Sequence, residues 1–84
     1  MKYVYPAIFT IEKAGGYSVA FPDIPGCYTQ GEDLAEAISM AEDVLSLMMS
    51  QRELESLPAP VPTELYTLVI AEGEEAILIT ADAS

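Results

Sequence analysis

Hydrophobic and polar positions along the first quarter of the chain predict two β-strands joined by a tight turn. In residues 3–12, β-branched and aromatic side chains occupy both parities of the pattern, so we expect this strand to be covered on both faces. Pro6 cannot donate a ladder hydrogen bond, which places it near the start of the strand, at an edge or at a bulge. The glycines within residues 13–16 predict a hairpin turn, and a second strand follows over residues 17–21.

The next segment, FPDIPGC (residues 21–27), has the composition of a turn between neighbouring strands. Pro22 and Pro25 stop the second strand, because proline cannot continue a ladder. Asp23 can hydrogen-bond the local backbone, and Gly26 can adopt the unusual dihedral angles that a reversal needs. We expect a short third strand over residues 26–30.

The strongest periodicity in the chain predicts a helix that begins after Gly31. Asp33 is the expected N-cap, and Glu36 three residues later gives the spacing of a capping box. Apolar residues at i, i+3, i+4 and i+7 predict one face packed on the sheet: Leu34, Ala37, Ile38, Ala41, Val44, Leu45 and Met48. Met40 and Leu47 lie at the margin of this apolar stripe. Polar residues are expected to face away from it: Glu36, Ser39, Asp43, Ser46 and Ser50.

The last third of the chain predicts an extended segment followed by one more strand. Three alternating prolines make residues 57–63 extended and polyproline-like, so this segment is expected to wrap around the domain. Two β-rich runs follow, residues 64–70 and 75–81, and they could form a hairpin. We favour the alternative in which the second run alone is a ladder strand. Because that run is apolar and near a terminus, we expect it to pair or pack across a subunit boundary.

Together these elements predict an α+β fold of β-β-β-α-β order, an antiparallel sheet packed by one main helix. The 84 residues are expected to form a single domain, residues 1–84, and 51% hydrophobic content favours a packed core over disorder. A chain of this length buries only about 60% of its unfolded surface, so its stability is often helped by association. We therefore expect a homo-oligomer, a dimer or a tetramer.

The net charge of the chain limits the kinds of molecule that it can bind. Its 14 acidic and 3 basic residues give a net charge of −11. Such a chain repels phosphate backbones and lacks the cations on which nucleic-acid affinity depends, so we expect no direct nucleic-acid binding. The same field attracts and steers basic proteins. No apolar run is long enough for a membrane span and no secretory pattern is present, so we expect a soluble, cytoplasmic protein.

Several kinds of catalytic site are excluded or disfavoured by the residue types. Without histidine, and with Cys27 as the lone cysteine, the chain has neither the common general base nor a thiolate zinc site. No glycine-rich phosphate cradle is present. A carboxylate-only magnesium site of a nuclease remains a weaker alternative, because the acids lie in turns and on the outer side of the helix rather than at strand centres. We expect no enzyme, no cofactor and no metal, and we expect Cys27 to be a small buried hydrophobe.

An ordered set of short motifs resembles a known family. The set comprises GGY at residues 15–17, FPDIPGC at residues 21–27, TQG at residues 29–31 and LAEAI at residues 34–38. In this order they resemble the N-terminal, UPF0150-like domain of HicB antitoxins. The resemblance implies a partial RNase H-like fold without nuclease carboxylates, and it implies binding to HicA, a small basic toxin that cleaves mRNA. Many family members carry a C-terminal DNA-binding domain, and since none precedes Ser84 we expect no repressor activity from this chain.

The resulting hypothesis is an antitoxin-like module that occludes a basic HicA-type toxin. We expect the acids around the start and the outer face of the helix, together with two apolar neighbours, to contact the partner: Asp23, Glu32, Glu36, Asp43, Met40 and Leu47. Each also has a purely structural interpretation, as a cap, a turn residue or part of a dimer seam. A stand-alone oligomeric scaffold or small-ligand binder without a toxin stays open as an alternative.

Overall fold

Four strands form one antiparallel sheet in the computed structural model, which describes residues 1–82. In chain order the elements are β1 (Lys2–Ile11), β2 (Tyr17–Ala20), β3 (Tyr28–Gly31), the helix α1 (Leu34–Leu54), a short 3-10 turn (Leu65–Thr67) and β4 (Glu74–Asp82). The spatial order of the strands is β3-β2-β1-β4. The β-β-β-α-β prediction is therefore confirmed, and so is the prediction that the second of the two late β-rich runs is the ladder strand.

β1 is the central strand, and its two neighbours cover different lengths of it. β4 pairs with β1 all the way from Lys2 to Thr10, whereas β2 pairs only with the part from Ile8 to Ile11. At Pro6 the β2 ladder has already ended, so β1 is locally an edge on that side. This local edge explains how a proline is accommodated within the longest strand of the sheet.

The third strand begins two residues later than predicted, because the preceding loop is closed by its own hydrogen bonds. The backbone N–H of Phe21 donates to the carbonyl of Cys27, and the Cys27 N–H donates to the carbonyl of Ile24. Phe21, predicted as the end of the second strand, belongs to this loop as well. All three side chains are buried in the core, so the loop forms one wall of the core.

α1 lies across one face of the sheet, from β3 at its start to β4 near its end. Its fully buried residues recur every four positions: Ala37, Ala41, Leu45 and Met49. The sequence pattern predicts Met48 rather than Met49 on the face that packs on the sheet, but Met48 is only half-buried. Leu34, also predicted to face the sheet, is 38% exposed. Among residues 1–82 no helix combines the length and the hydrophobicity that a bilayer-spanning segment needs.

Ser46 is predicted on the polar side of α1, and its side chain is only half-buried in the structure. Its hydroxyl donates a hydrogen bond of 2.7 Å to the backbone carbonyl of Asp82 in β4. This bond joins the flank of α1 to the edge strand.

Two local features fix where α1 begins and ends. At its start, a Cβ atom added to Gly31 would lie 2.4 Å from the backbone nitrogen of Ala37, so the helix rests directly on the end of β3. At its end, Ser56 has a positive φ of 56° and the Leu57 N–H donates to the carbonyl of Arg52. That bond, with the left-handed residue before it, closes the helix as a Schellman-type motif.

We call residues 57–70 the strap. Three side chains of the rest of the domain bind it through hydrogen bonds. Arg52 donates to the Pro58 carbonyl at 3.0 Å, and the Tyr5 hydroxyl donates to the Pro60 carbonyl at 2.6 Å. Thr63 then donates to both carboxylate oxygens of Asp23. The prediction that this proline-rich segment wraps the domain is confirmed.

Beyond Thr63 the strap leads to β4. It starts at Asp23, beyond the end of β2, and its 3-10 turn packs on β4 at the edge of the sheet. The pairing of Pro6 with Leu78 and of Tyr5 with Ile79 puts Pro6 on the face away from the buried core, yet Pro6 is itself fully buried.

Candidate functional site

An open groove lies between the β1–β2 hairpin and the N-terminal end of α1. Glu12 on the hairpin lines it together with Glu32, Glu36 and Met40 on the other side. Every charged side chain that the structure describes along this groove is a glutamate, and we call it the acidic groove. Three carboxylates beside one apolar side chain form a surface suited to the cationic end and the aliphatic stem of a lysine or arginine.

The floor of the acidic groove depends on close backbone packing. Gly16 ends the hairpin turn with φ +82°, and a Cβ atom there would lie 2.8 Å from the carbonyl oxygen of Gly31. A hydrogen bond from the Glu12 N–H to the Gly16 carbonyl closes the same turn. The hairpin therefore sits against the junction of β3 and α1, which brings two segments distant in sequence to one site.

The capping box orients the carboxylate of Glu36. The Glu36 N–H donates to Oδ1 of Asp33 at 2.8 Å, and Oε1 of Glu36 accepts from the Glu32 N–H at 2.8 Å. Both predicted roles in helix capping are thus observed. The side chain of Glu32 stays exposed, and on the opposite wall Oε1 of Glu12 accepts from the Ser18 hydroxyl at 2.6 Å.

From Glu36 an exposed stripe continues along the outer face of α1, and we call it the outer stripe. Its members follow the helix at spacings of four, three, four and seven residues: Glu36, Met40, Asp43, Leu47 and Leu54. Met40 is 41% exposed, Leu47 67% and Leu54 81%. Three large apolar side chains at seven-residue intervals on the solvent-facing side of the helix, with acids before and after the first of them, form a surface that a partner can dehydrate.

Five of the six side chains that the sequence selected lie along the acidic groove and the outer stripe. Glu32, Glu36 and Met40 meet at the groove, and Asp43 and Leu47 extend it along the helix. Sequence reasoning missed two members of this surface. Leu54 could have been found from its seven-residue spacing after Leu47, whereas Glu12 carries no local signal, because only the packing of the hairpin brings it to the helix.

Asp23, the sixth residue, lies elsewhere. It is half-buried beside the strap, and its two carboxylate oxygens accept from the backbone N–H and the hydroxyl of Thr63. Its observed role is to anchor the strap.

The remaining chemistry of the described residues is sparse. Cys27 is buried, and that burial raises the pKa of its thiol to about 11. A hydrogen bond to the Glu53 carboxylate raises the pKa of the Tyr3 hydroxyl, and burial raises that of Tyr5. Within residues 1–82, no three side chains of His, Cys, Asp or Glu come together in a group that could hold a metal ion.

Comparison with known sequences identifies one matching protein family. The model of the HicB-like antitoxin of bacterial toxin-antitoxin systems matches residues 5–82. Antitoxin HicB of Escherichia coli K12 is 43% identical over 61 residues, which is 68% of this chain and 44% of that protein. Antitoxin HicB 1 of Photorhabdus laumondii is 32% identical over 81 residues, 92% of this chain and 52% of that protein. The chain thus spans about half the length of these relatives.

Solved structures share the fold. A chain of a toxin-antitoxin complex from Streptococcus pneumoniae superposes with a TM-score of 0.89 at 21% identity, covering 98% of this chain and 70% of that one. A chain of the HicA3 and HicB3 toxin-antitoxin complex gives a TM-score of 0.69 at 24% identity, covering 98% and 99%. At these identities the likeness establishes the arrangement of strands and helix.

Proposed function

The chain belongs to the HicB-like antitoxin family, and from that membership we propose that it neutralises a small basic toxin of the HicA type by covering it. The observation that carries the proposal is the joining of the acidic groove to the outer stripe in one exposed surface. The cytoplasm is the compartment we propose for this action, because a toxin that cleaves mRNA meets its substrate there.

The proposed mechanism is occlusion without catalysis by this chain. Electrostatic attraction from a chain of net charge −11 accelerates the encounter with a basic protein. Glu32, Glu36 and Asp43 then pair with lysine or arginine side chains that the toxin uses to hold RNA. Met40 and Leu47 lose their exposed apolar surface on binding, which holds the complex together once the charges have aligned it.

Two further observations support this proposal. A structure with the same fold was solved in complex with a HicA3 toxin, so the fold is compatible with that kind of partner. The acids of the surface are also attached to rigid elements, since Glu36 is held by the capping box and Asp43 lies on the well-packed α1. A rigid surface loses little conformational entropy on binding. Asp23 contributes indirectly in this proposal, by fixing the strap.

The test is co-expression with a small basic RNase encoded beside this chain, followed by affinity measurement and an RNA-cleavage assay. We expect a stable complex in which cleavage stops, and we expect its affinity to fall as salt rises from 50 to 500 mM. Asp43→Lys should weaken binding at least about tenfold. Glu72→Lys is the matched control, because it makes the same change of charge at an exposed turn residue that lines neither the groove nor the stripe.

Two results would overturn the proposal. One is a complex whose affinity is unchanged by Asp43→Lys and by Leu47→Ser. The other is the absence of any binding to the encoded RNase, which would favour a stand-alone oligomeric scaffold or a small-ligand binder. Glu36→Gln refines the test, since its amide oxygen can still accept the Glu32 N–H bond while the charge is removed.

A further inference from the structure

A small pocket lies on the α1 face of the sheet, where β1, β2 and the start of β4 meet the first residue of α1. Its cavity volume is about 140 Å³, and the buried ring of Phe9 forms its floor. The strand register pairs Ile11 with Tyr17 and Phe9 with Glu75, so these four side chains share one face of the sheet. We call this cavity the corner pocket.

The corner pocket exists because α1 covers this part of the sheet with one residue only. Among the helical residues that the structure describes, Leu34 alone lines the pocket. The buried residues of the helix begin with Ala37, which rests on Gly31 in β3, and the flank of the helix later reaches Asp82. Asp82 lies at the opposite end of β4 from Glu75. Leu34 therefore stays 38% exposed at the rim.

The size of the corner pocket selects the kind of occupant. Sites for small-molecule ligands usually have volumes of about 300–1,000 Å³. A cavity of about 140 Å³ has room for one side chain of a partner instead. Its exposed apolar surface comes from Leu34 and from Ile11, which is 62% exposed, so the best occupant has an apolar stem that dehydrates both.

The charges beside the corner pocket favour a cationic occupant. Glu75 lines the pocket and is exposed. Glu74 lines it as well, but its Oε1 accepts from the Ala71 N–H at 2.7 Å, which fixes that carboxylate in the turn before β4. Within residues 1–82 no basic side chain lines the pocket. A second copy of this chain, with 3 basic residues and a net charge of −11, is repelled from such a site.

Tyr17 connects the corner pocket to the acidic groove, because it lines both. The two sites also continue one another along β1, since Ile11 lines the pocket and the next residue, Glu12, lines the groove. A basic protein that is seated on the groove can therefore place a neighbouring side chain in the pocket.

We propose that the corner pocket receives one arginine side chain of the basic protein that binds the acidic groove. The planar guanidinium group can pair with both oxygens of the Glu75 carboxylate and lie on the ring of Tyr17. The aliphatic stem of arginine then covers Ile11 and Leu34. Lysine has neither the fork nor the flat cation, so it fits less well. This inference rests on the proposed function, since it names one contact of the same partner.

A titration with N-acetylarginine amide tests the pocket without the partner. We expect saturable NMR shifts of the Ile11 and Leu34 methyl groups and of the Tyr17 ring, with an affinity in the millimolar range. N-acetyllysine amide should bind at least about threefold more weakly. Glu75→Gln should weaken binding of the arginine compound by a similar factor. Glu72→Gln is the matched control, because it removes the same charge at an exposed residue that does not line the pocket.

The same variants test the pocket in the complex with the encoded basic RNase. Glu75→Gln should weaken the complex at least about fivefold, and Glu72→Gln less than about twofold. Leu34→Trp places a larger side chain at the rim and should weaken the complex as well, and circular dichroism verifies that it folds. When the arginines of the partner are changed to lysine one at a time, one of these changes should cause no further loss in the Glu75→Gln background.

The inference is overturned if Glu75→Gln and Leu34→Trp leave the affinity unchanged while Asp43→Lys weakens it, because the proposed function then stands without the corner pocket. It is equally overturned if N-acetylarginine amide causes no saturable shift at the pocket. The proposed function fails instead if the encoded RNase does not bind at all. A saturable titration would in that case still support an arginine pocket, for a different basic protein.

Discussion

Asp23 and Thr63 are forty residues apart in the chain and are joined by a pair of hydrogen bonds. The Thr63 backbone N–H donates to Oδ2 of Asp23 at 2.9 Å, and the Thr63 hydroxyl donates to Oδ1. One carboxylate thereby fixes the strap to the loop between β2 and β3. The strap in turn leads into the 3-10 turn that packs on β4.

Asp23→Ala should lower the free energy of unfolding by about 2 kcal/mol, because two hydrogen bonds to a half-buried carboxylate are lost and the strap is released. Urea denaturation measures the change. Thr63→Val keeps the backbone bond and should cost about half as much. Glu64→Ala, at an exposed neighbouring position, serves as the control and should change stability by less than about 0.5 kcal/mol. Equal effects of the Asp23 and Glu64 substitutions would contradict the anchoring role.

Gly31→Ala should be among the most damaging single-methyl additions in the chain. The new Cβ atom would lie 2.4 Å from the nitrogen and 2.6 Å from the Cα of Ala37, so the start of α1 would have to move. We expect a loss of about 3 kcal/mol in thermal or urea unfolding. Gly73→Ala is the control, since its positive φ of 85° makes alanine strained but its Cβ atom meets nothing within 4 Å. That change should cost only about 1 kcal/mol.

Cys27 should make the stability of the protein fall in alkaline solution. Burial raises the pKa of its thiol from the ordinary 9.0 to about 11, so the unfolded chain loses this proton first as the pH rises. The contribution is therefore fully present below pH 9 and is lost between pH 9 and pH 11. Unfolding free energies of the wild type and of Cys27→Ala, measured across this range, should show a steeper fall for the wild type. Tyr3 and Tyr5 are present in both proteins, so the difference isolates the thiol.

The same burial should protect the thiol from reagents. At pH 8 we expect Ellman's reagent to modify native Cys27 at least about a hundredfold more slowly than the urea-unfolded chain, because the thiol is both inaccessible and protonated. Rapid modification of the native protein would contradict the buried position of this residue.

Ser56→Gly should stabilise the protein. Ser56 has a φ of 56° at the end of α1, a conformation in which glycine carries no Cβ penalty. We expect a gain of about 1 kcal/mol in urea denaturation. Ser50→Gly, within the same helix, is the contrasting control and should destabilise by about 0.5–1 kcal/mol.

The sequence was sufficient for those features that depend on short-range patterns. Runs of β-branched and aromatic residues bounded by turn residues predicted the strands, helical spacing predicted α1, and Asp33 with Glu36 predicted the capping box, because each signal lies within a few residues. The error at Met49 has a related cause. A helix of 3.6 residues per turn shifts its buried face along a long segment, and the exact face depends on how the helix crosses the sheet.

Contacts between distant segments could not be predicted in this way. Nothing near Ser46 points to Asp82, nothing near Asp23 points to Thr63, and Glu12 reaches the acidic groove only through the packing of the hairpin. The outer stripe was largely predictable, since Met40, Asp43 and Leu47 share a helical face by their spacing. Their contact with a partner stays a prediction, which the Asp43 and Leu47 variants test.

The register between β1 and β4 has a consequence for synthesis. β1 leaves the ribosome first, yet the strand that closes its long open side, from Lys2 to Thr10, is the last of the four to be translated. Until Glu74 and the residues after it emerge, one side of β1 has unpaired backbone N–H and C=O groups. Any other extended segment nearby can pair with them. Stalled or clipped products that stop before Glu74 should therefore be the aggregating species in a cell, whereas the finished fold keeps that edge paired.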